Sequence, residues 1–257
     1  INNLPWMTPA TRANAIVKLK KFRVKIGYPD TWKDYSELQI KSPEQGGTLQ
    51  ENSLAISRWS NKENVSKLGK PVNKEEWGMS PQTVNAYYSP TNNEIVFPAA
   101  ILQPPFYDYR ADEAVNYGGI GGVIGHEISH GFDDSGSRYN AEGNLINWWS
   151  EDDLKQFTSL GTALADQYSA LQPLPGIYVD GKFTLGENIG DLGGVNAAYD
   201  GLQIYLKEKG NPGLIDGFSP EQRFFLSWAT IWRSKMRDEA IKNQVKTDTH
   251  SPGQYRA

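Results

Sequence analysis

At 257 residues, with 38% apolar and 12% aromatic side chains, the chain has enough material for one large core or two small ones and reads as globular. A formal charge of −4 without any Lys/Arg cluster argues against nucleic acid or an anionic membrane as the main partner. No apolar run approaches the ~20 residues that span a bilayer, and zero cysteines excludes disulfides and thiolate metal sites, so any metal must use carboxylates and the three histidines, His126, His130 and His250.

In chain order, residues 8–26 place Ala15, Ile16, Leu19, Phe22 and Ile26 at helical spacing and end on Gly27 and Pro29, which predicts an amphipathic helix. "SPEQGG" is a turn, and residues 49–68 form a second helix that "GKPVNKEEWGMSP" breaks. No internal repeat or low-complexity linker marks a domain boundary. From Val84 the period changes: "VNAYY" and "EIVFP", rich in β-branched and aromatic residues, flank "SPTNN" and predict a β-hairpin. Beyond a glycine-rich stretch, helices are expected over 152–171, 185–209 and 219–244, with turns at "PLPG" and "DGKF". The fold class is therefore α+β, predominantly helical, with a small sheet or hairpin.

The glycine-rich stretch, "GGIGGVIGHEISHGFDDSG", carries the chemistry. On a helix, residues four apart differ by only ~40° around the axis, so His126 and His130 point at one common place, with Glu127 bordering the same face. Two neutral imidazoles can take two tetrahedral positions on Zn²⁺ and a water another, leaving Glu127 to take that water's proton without being a ligand. A chance occurrence on a surface helix is the plainer alternative, which the scarcity of histidine disfavours.

A third ligand is needed, and "GENIGDLGG" offers Glu187, with Asp191 one helical turn beyond to accept a hydrogen bond from a histidine's other ring nitrogen. Asp133 is placed to do the same for the second histidine. Alone, a Glu and an Asp four apart usually mark a solvated face; here their neighbours are apolar or glycine. Gly118, Gly119, Gly121, Gly122 and Gly125 each cost a helix about 1 kcal/mol relative to alanine. Direct packing of a neighbouring helix, or of the strand carrying Asn85, on this backbone is expected to offset that. A loop over 118–122, with the helix starting near Val123, stays open; either way both histidines sit on regular helix. "NVS" at Asn64 matches a glycosylation pattern that is common by chance, and "DDSGSRYNAEG" resembles a calcium loop only loosely and reads as a turn.

"VNAYYSP", "GGVIGHEISHGFDD", "GENIGDLGG" and "DTHSPGQYR" occur in the order of the neprilysin and endothelin-converting-enzyme family of zinc metallopeptidases, which includes bacterial oligopeptidase O. The resemblance runs from about "KIGYPDTW" to the last residue. It implies a thermolysin-like catalytic domain over 1–257 that binds one Zn²⁺ per chain through His126, His130 and Glu187. Glu127 is then the general base, with Asp133 and Asp191 behind the ligands and Asp191 counted with the catalytic set. By the same resemblance His250 steadies the oxyanion, Arg256 binds the substrate's carbonyl on the leaving side, and Asn85 with Ala86 pairs with the substrate backbone. Outside this pattern His250 reads equally as a structural histidine, and Arg256 as a surface arginine.

The resemblance implies a zinc endopeptidase that hydrolyses oligopeptides on the amino side of bulky apolar residues. Its relatives carry a large helical N-terminal lobe that closes over the site and a further segment after the arginine. Neither is present in this sequence, which reads as a fragment whose partners are peptide substrates and the complementary lobe. The alternative is a peptide-binding fragment that turns over weakly without that lobe. His250 and Arg256, close to Ala257, are expected to fray unless tied down. Absence of cysteine favours a bacterial type over a disulfide-bonded ectodomain, with the cytoplasm favoured and a periplasmic or secreted location left open.

Overall fold

The computed structural model describes residues 1–257. The chain forms two compact units, one made of Ile1–Tyr28 and Met79–Ala257, the other of Pro29–Gly78. The boundaries fall on Pro29 and within "GKPVNKEEWGMSP", which the sequence marks as helix breakers and, lacking linker composition, not as domain boundaries. In the smaller unit, helix α2 (Leu49–Ser66) starts where the sequence placed it. Thr48 Oγ1 accepts from Glu51 N at 3.2 Å and Glu51 Oε2 accepts from Thr48 N at 3.1 Å, a reciprocal cap that satisfies two otherwise unpaired amides.

The larger unit begins with α1 (Pro9–Lys20), whose Pro9 occupies the first helical position, where a missing N–H costs nothing. The predicted helix to Ile26 is too long. Arg23–Gly27 is instead strand β1, entered as Arg23 N donates to Asn93 O at 2.9 Å. Alternation leaves Val24 and Ile26 exposed and turns Lys25 inward, where it pairs with buried Glu94 at 2.9 Å. The expected hairpin is present as β2 (Tyr87–Ser89) and β3 (Glu94–Pro98). The sheet order is β1-β3-β2, with β1 parallel to β3, Arg23 opposite Glu94, and β2 antiparallel, Tyr87 opposite Val96. As the central strand, β3 is buried along its whole length.

Asp112 caps the short α3 (Glu113–Asn116), which passes through one wide π turn, Tyr117–Gly121, into α4 (Gly122–Ser129). The glycine stretch is therefore helical rather than a loop. Helix α5 (Glu151–Ser169) is followed by α6 (Leu185–Lys209), whose bounds match the sequence reading. The single helix expected over 219–244 is two, α7 (Pro220–Ile231) and α8 (Asp238–Thr247). The apolar run ends at Trp232, and α8 starts afresh with Asp238 and Glu239 in its first turn, where acidic side chains favour a helix N-terminus.

The main core lies between the sheet and α4: Ala86, Ile95, Phe97, Ile101, Ile120 and Val123. A second cluster, Ala114, Ala198, Leu202 and Phe224, joins α3, α6 and α7, and a third, Met7, Ala15 and Trp149, seats α1. No helix is long and apolar enough to cross a membrane.

Candidate metal centre

Helices α4 and α6 cross with backbone against backbone. A Cβ on Gly125 would lie 2.6 Å from Gly194 O, and one on Gly194 would lie 2.5 Å from His126 N. Only glycine permits that approach, which brings residues of α4 and the first turns of α6 within side-chain reach of each other. Gly118 in turn meets the Phe224 backbone of α7. The expected compensation for the glycines thus comes from α6 and α7, and not from the strand that follows Asn85.

At this crossing His126 Nε2, His130 Nε2 and Glu187 Oε2 converge, their ligand atoms all within 4.8 Å of one another. The imidazole rings are edge-on, 4.5 Å between centroids. Behind them, His126 Nδ1 lies 2.9 Å from Asp191 Oδ1 and His130 Nδ1 lies 2.7 Å from Asp133 Oδ2. With each Nδ1–H donating backwards, each Nε2 keeps a lone pair aimed at the convergence point. Glu187 Oε2 is buried and lies 3.2, 3.6 and 3.0 Å from Nε2 of His126, His130 and His250, yet makes no hydrogen bond of acceptable geometry. A buried carboxylate oxygen without a hydrogen bond, facing two ring nitrogens, is a donor set that could hold a divalent cation with nitrogen and oxygen ligands.

The local field agrees. Burial opposes charge on His130, but the carboxylates of Asp133, Glu187 and Glu127 outweigh it and raise its pKa to about 10, so that without a metal the ring would carry a second proton on Nε2, at the position a cation would take. Burial likewise pushes Glu187 up, and the surrounding imidazoles hold it well below the usual carboxylate range. The pocket thus favours positive charge at its centre. Glu127 is buried beside the ligands without belonging to the donor group, and burial pushes its carboxyl up against the pull of His126 and His130.

The other expected residues fall around the same cavity of about 570 Å³, which Asn85, Ala86, Glu127, Asp133, His250 and Arg256 all line. Asn85 and Ala86 precede β2 rather than lying in it, and Asn85 Oδ1 accepts from Ala86 N at 3.0 Å. Arg256 donates through Nε and Nη2 to Asp191 at 2.7 and 2.8 Å and stacks 3.5 Å over Trp232. The stretch expected to fray is tied: Trp228 Nε1 donates to Arg256 O at 2.7 Å and Ser251 Oγ to Asn188 Oδ1 at 2.8 Å. Sequence reading missed Asp248, which accepts from His250 N at 2.9 Å and meets its Nδ1 at 2.7 Å, although it lies inside the quoted "DTHSPGQYR". It also missed Trp232, Ser251 and Asn188.

Residues 85–257 match Peptidase family M13. Over its whole length the chain is 44% identical to an endothelin-converting enzyme homolog of Locusta migratoria and 39% identical to human neprilysin, covering 36% and 35% of those proteins. It therefore spans about a third of the length of these curated relatives. Among solved structures, the Mycobacterium tuberculosis zinc metalloprotease ZMP1 in complex with an inhibitor superposes with a TM-score of 0.92 at 50% identity, covering 99% of this chain and 39% of that one. PEPO from Lactobacillus rhamnosis superposes with a TM-score of 0.82 at 36% identity, covering 99% and 38%.

Proposed function

Because the chain belongs to peptidase family M13 and has the thermolysin-like fold of its zinc metallopeptidases, we propose that it carries the hydrolytic centre of a zinc-dependent endopeptidase acting on oligopeptides. The observation that carries this reading is the convergence of His126, His130 and Glu187, each imidazole backed by a carboxylate. One Zn²⁺ held there supplies a Lewis acid for the scissile carbonyl and lowers the pKa of water.

The remaining work falls to side chains of the cavity. Glu127, buried and next to the ligands, takes the proton of the attacking water and returns it to the leaving amine; burial pushes its carboxyl up, which strengthens it as a base for the first step. His250, oriented by Asp248, donates from Nε2 to the carbonyl oxygen as that oxygen becomes negative. Arg256 spends Nε and Nη2 on Asp191, leaving Nη1 for a substrate carbonyl, while Asn85 and Ala86 hold the peptide extended at the edge before β2. Ile101, Phe106, Val123 and Trp232 give the cavity an apolar wall, which fits cleavage on the amino side of a bulky apolar residue. Peptide substrates and an N-terminal lobe of the same protein that closes over them are the partners of this reading.

The test is hydrolysis by the intact protein of fluorogenic peptides carrying Phe, Leu or Asp after the scissile bond, with and without chelator. Cleavage before Phe and Leu that chelator abolishes and zinc restores is expected. Hydrolysis indifferent to chelator contradicts the proposal.

A further inference from the structure

Lys18 lies on α1, far in sequence from both metal motifs, and its side chain is fully buried. Its Nζ donates to three backbone carbonyls, Gly131 O at 2.6 Å, Gly136 O at 2.7 Å and Tyr139 O at 2.7 Å. Three acceptors match the three N–H groups of an ammonium, and the rings of Tyr88, Phe132 and Trp148 surround it at 5.6–5.9 Å to their centroids. Burying an ammonium is costly unless every donor is satisfied. Burial lowers its pKa to about 8, with the charge of Asp133 pulling the other way, so it remains charged at neutral pH.

All three acceptors belong to one segment, 131–139, which leaves α4 directly after His130. The same segment carries Asp133. Its Oδ2 meets His130 Nδ1, and its Oδ1 accepts from Ser135 N at 2.9 Å and Gly136 N at 2.6 Å. Gly136 is thus gripped from both sides, its N–H by Asp133 and its carbonyl by Lys18. Buried Asn93, in the left-handed region at φ 47°, extends the connection to the sheet. Its Nδ2 donates to Lys18 O at 3.1 Å and Ala141 O at 3.2 Å, and its Oδ1 accepts from Tyr88 OH, on β2, at 3.0 Å.

We propose that Lys18 is a positioning residue of the metal centre: by holding the carbonyls of 131–139 it fixes Asp133 against His130 and so sets how tightly the site binds zinc. This rests on the zinc reading above. A role in general stability alone would lower the unfolding midpoint without changing the zinc affinity of the folded protein.

The experiment measures zinc dissociation constants of the intact protein by competition with a chromophoric chelator, alongside unfolding of the metal-free protein. Lys18→Met is expected to weaken zinc at least about tenfold, as loss of groups behind metal ligands does. Lys18→Gln, which keeps two N–H donors on a shorter side chain, is expected to show a smaller loss in the same direction, and it carries the test should the Met variant not fold. In the Asp133→Asn background Lys18→Met should add little, because both substitutions break one connection. Leu202→Ala, about 22 Å along α6 from Glu187, is expected to lower the unfolding midpoint with zinc affinity unchanged. Wild-type zinc affinity in both Lys18 variants, additive losses in the double variant, or an equal loss in Leu202→Ala would overturn the inference. A wild-type protein that binds no zinc would instead overturn the zinc reading, and this inference with it.

Discussion

His126 and His130 point at one place but are held there by different kinds of structure. Behind His126, Asp191 Oδ1 takes the ring nitrogen at 2.9 Å and Arg256 Nη2 at 2.8 Å, and Oδ2 takes Arg256 Nε at 2.7 Å. Histidine and carboxylate both sit on regular helix, in the pair pressed together at Gly125 and Gly194. Behind His130, the residue that caps the end of its helix, the support is a loop: Asp133, folded onto its own following amides and tied by Lys18. A helix pair needs only one charged side chain to lock an imidazole, whereas a loop needs its backbone groups satisfied one by one. The helical side also reaches Arg256, the residue proposed to bind substrate, because Arg256 shares its carboxylate. The loop side ends on backbone.

The strongest way to break this comparison is to remove a ligand. His126→Ala and Glu187→Gln should each lose zinc binding by orders of magnitude, since a three-residue site then lacks an imidazole or a charged donor, whichever support survives. Metal analysis after dialysis reads this, and full retention of zinc by both variants would contradict the ligand set.

The supports themselves come next. Asp191→Asn and Asp133→Asn should each weaken zinc by about 10–100-fold, but only Asp191→Asn should also raise KM, because Arg256 then loses both of its charge-assisted bonds. Steady-state kinetics at saturating zinc separates the two. An equal rise in KM for both would mean that the two sides are not distinct.

The smallest effect concerns the anchor of the loop side. Asp153 pins the start of α1, the helix that carries Lys18, by accepting from Thr8 N at 3.0 Å and Thr8 Oγ1 at 2.5 Å. Burial opposes its ionisation, but hydrogen bonds from Thr11, Thr8 and Ser150 outweigh burial and lower its pKa from 3.8 to about 2. The folded pKa lies below the unfolded one, so the stabilisation is fully present above pH 3.8 and fades as pH falls through about 2. Asp153→Asn should lose about 1–2 kcal/mol at pH 7, and the gap from wild type should close across that window. Chemical denaturation at several pH values checks it; a gap that stays constant would contradict the assignment.

How far each side was legible follows from where its partners lie. The two histidines, Glu187 and Asp191 were visible because short fixed spacings on helices place them, Asp133 because it follows His130 by three residues although it sits in the loop beyond α4, and α6 kept its predicted bounds because its first turns are the motif itself. The boundary between α1 and β1 was not: Phe22 and Ile26 continue the helical spacing, no Gly or Pro stands between them, and only the pairing of β1 with β3 selects a strand. Helix α7 likewise ends without a Gly or Pro to mark it. Lys18 was invisible because a lysine on an amphipathic helix reads as its solvent face, and its three acceptors are backbone groups at least 113 residues away. Those acceptors have no side-chain signature. The role of the glycines was half legible: their cost demanded close packing, but the partners are α7 and α6, and the Gly194 of α6 gains its meaning only once it is placed against Gly125.

In the proposed mechanism Glu127 is a base beside the metal and not a ligand to it. The measurement that addresses this most directly is the zinc content and peptide turnover of the intact Glu127→Gln protein. One zinc per chain with turnover reduced by several orders of magnitude is the expected result. Near-normal turnover in the zinc-loaded variant, or loss of the zinc itself, would contradict it.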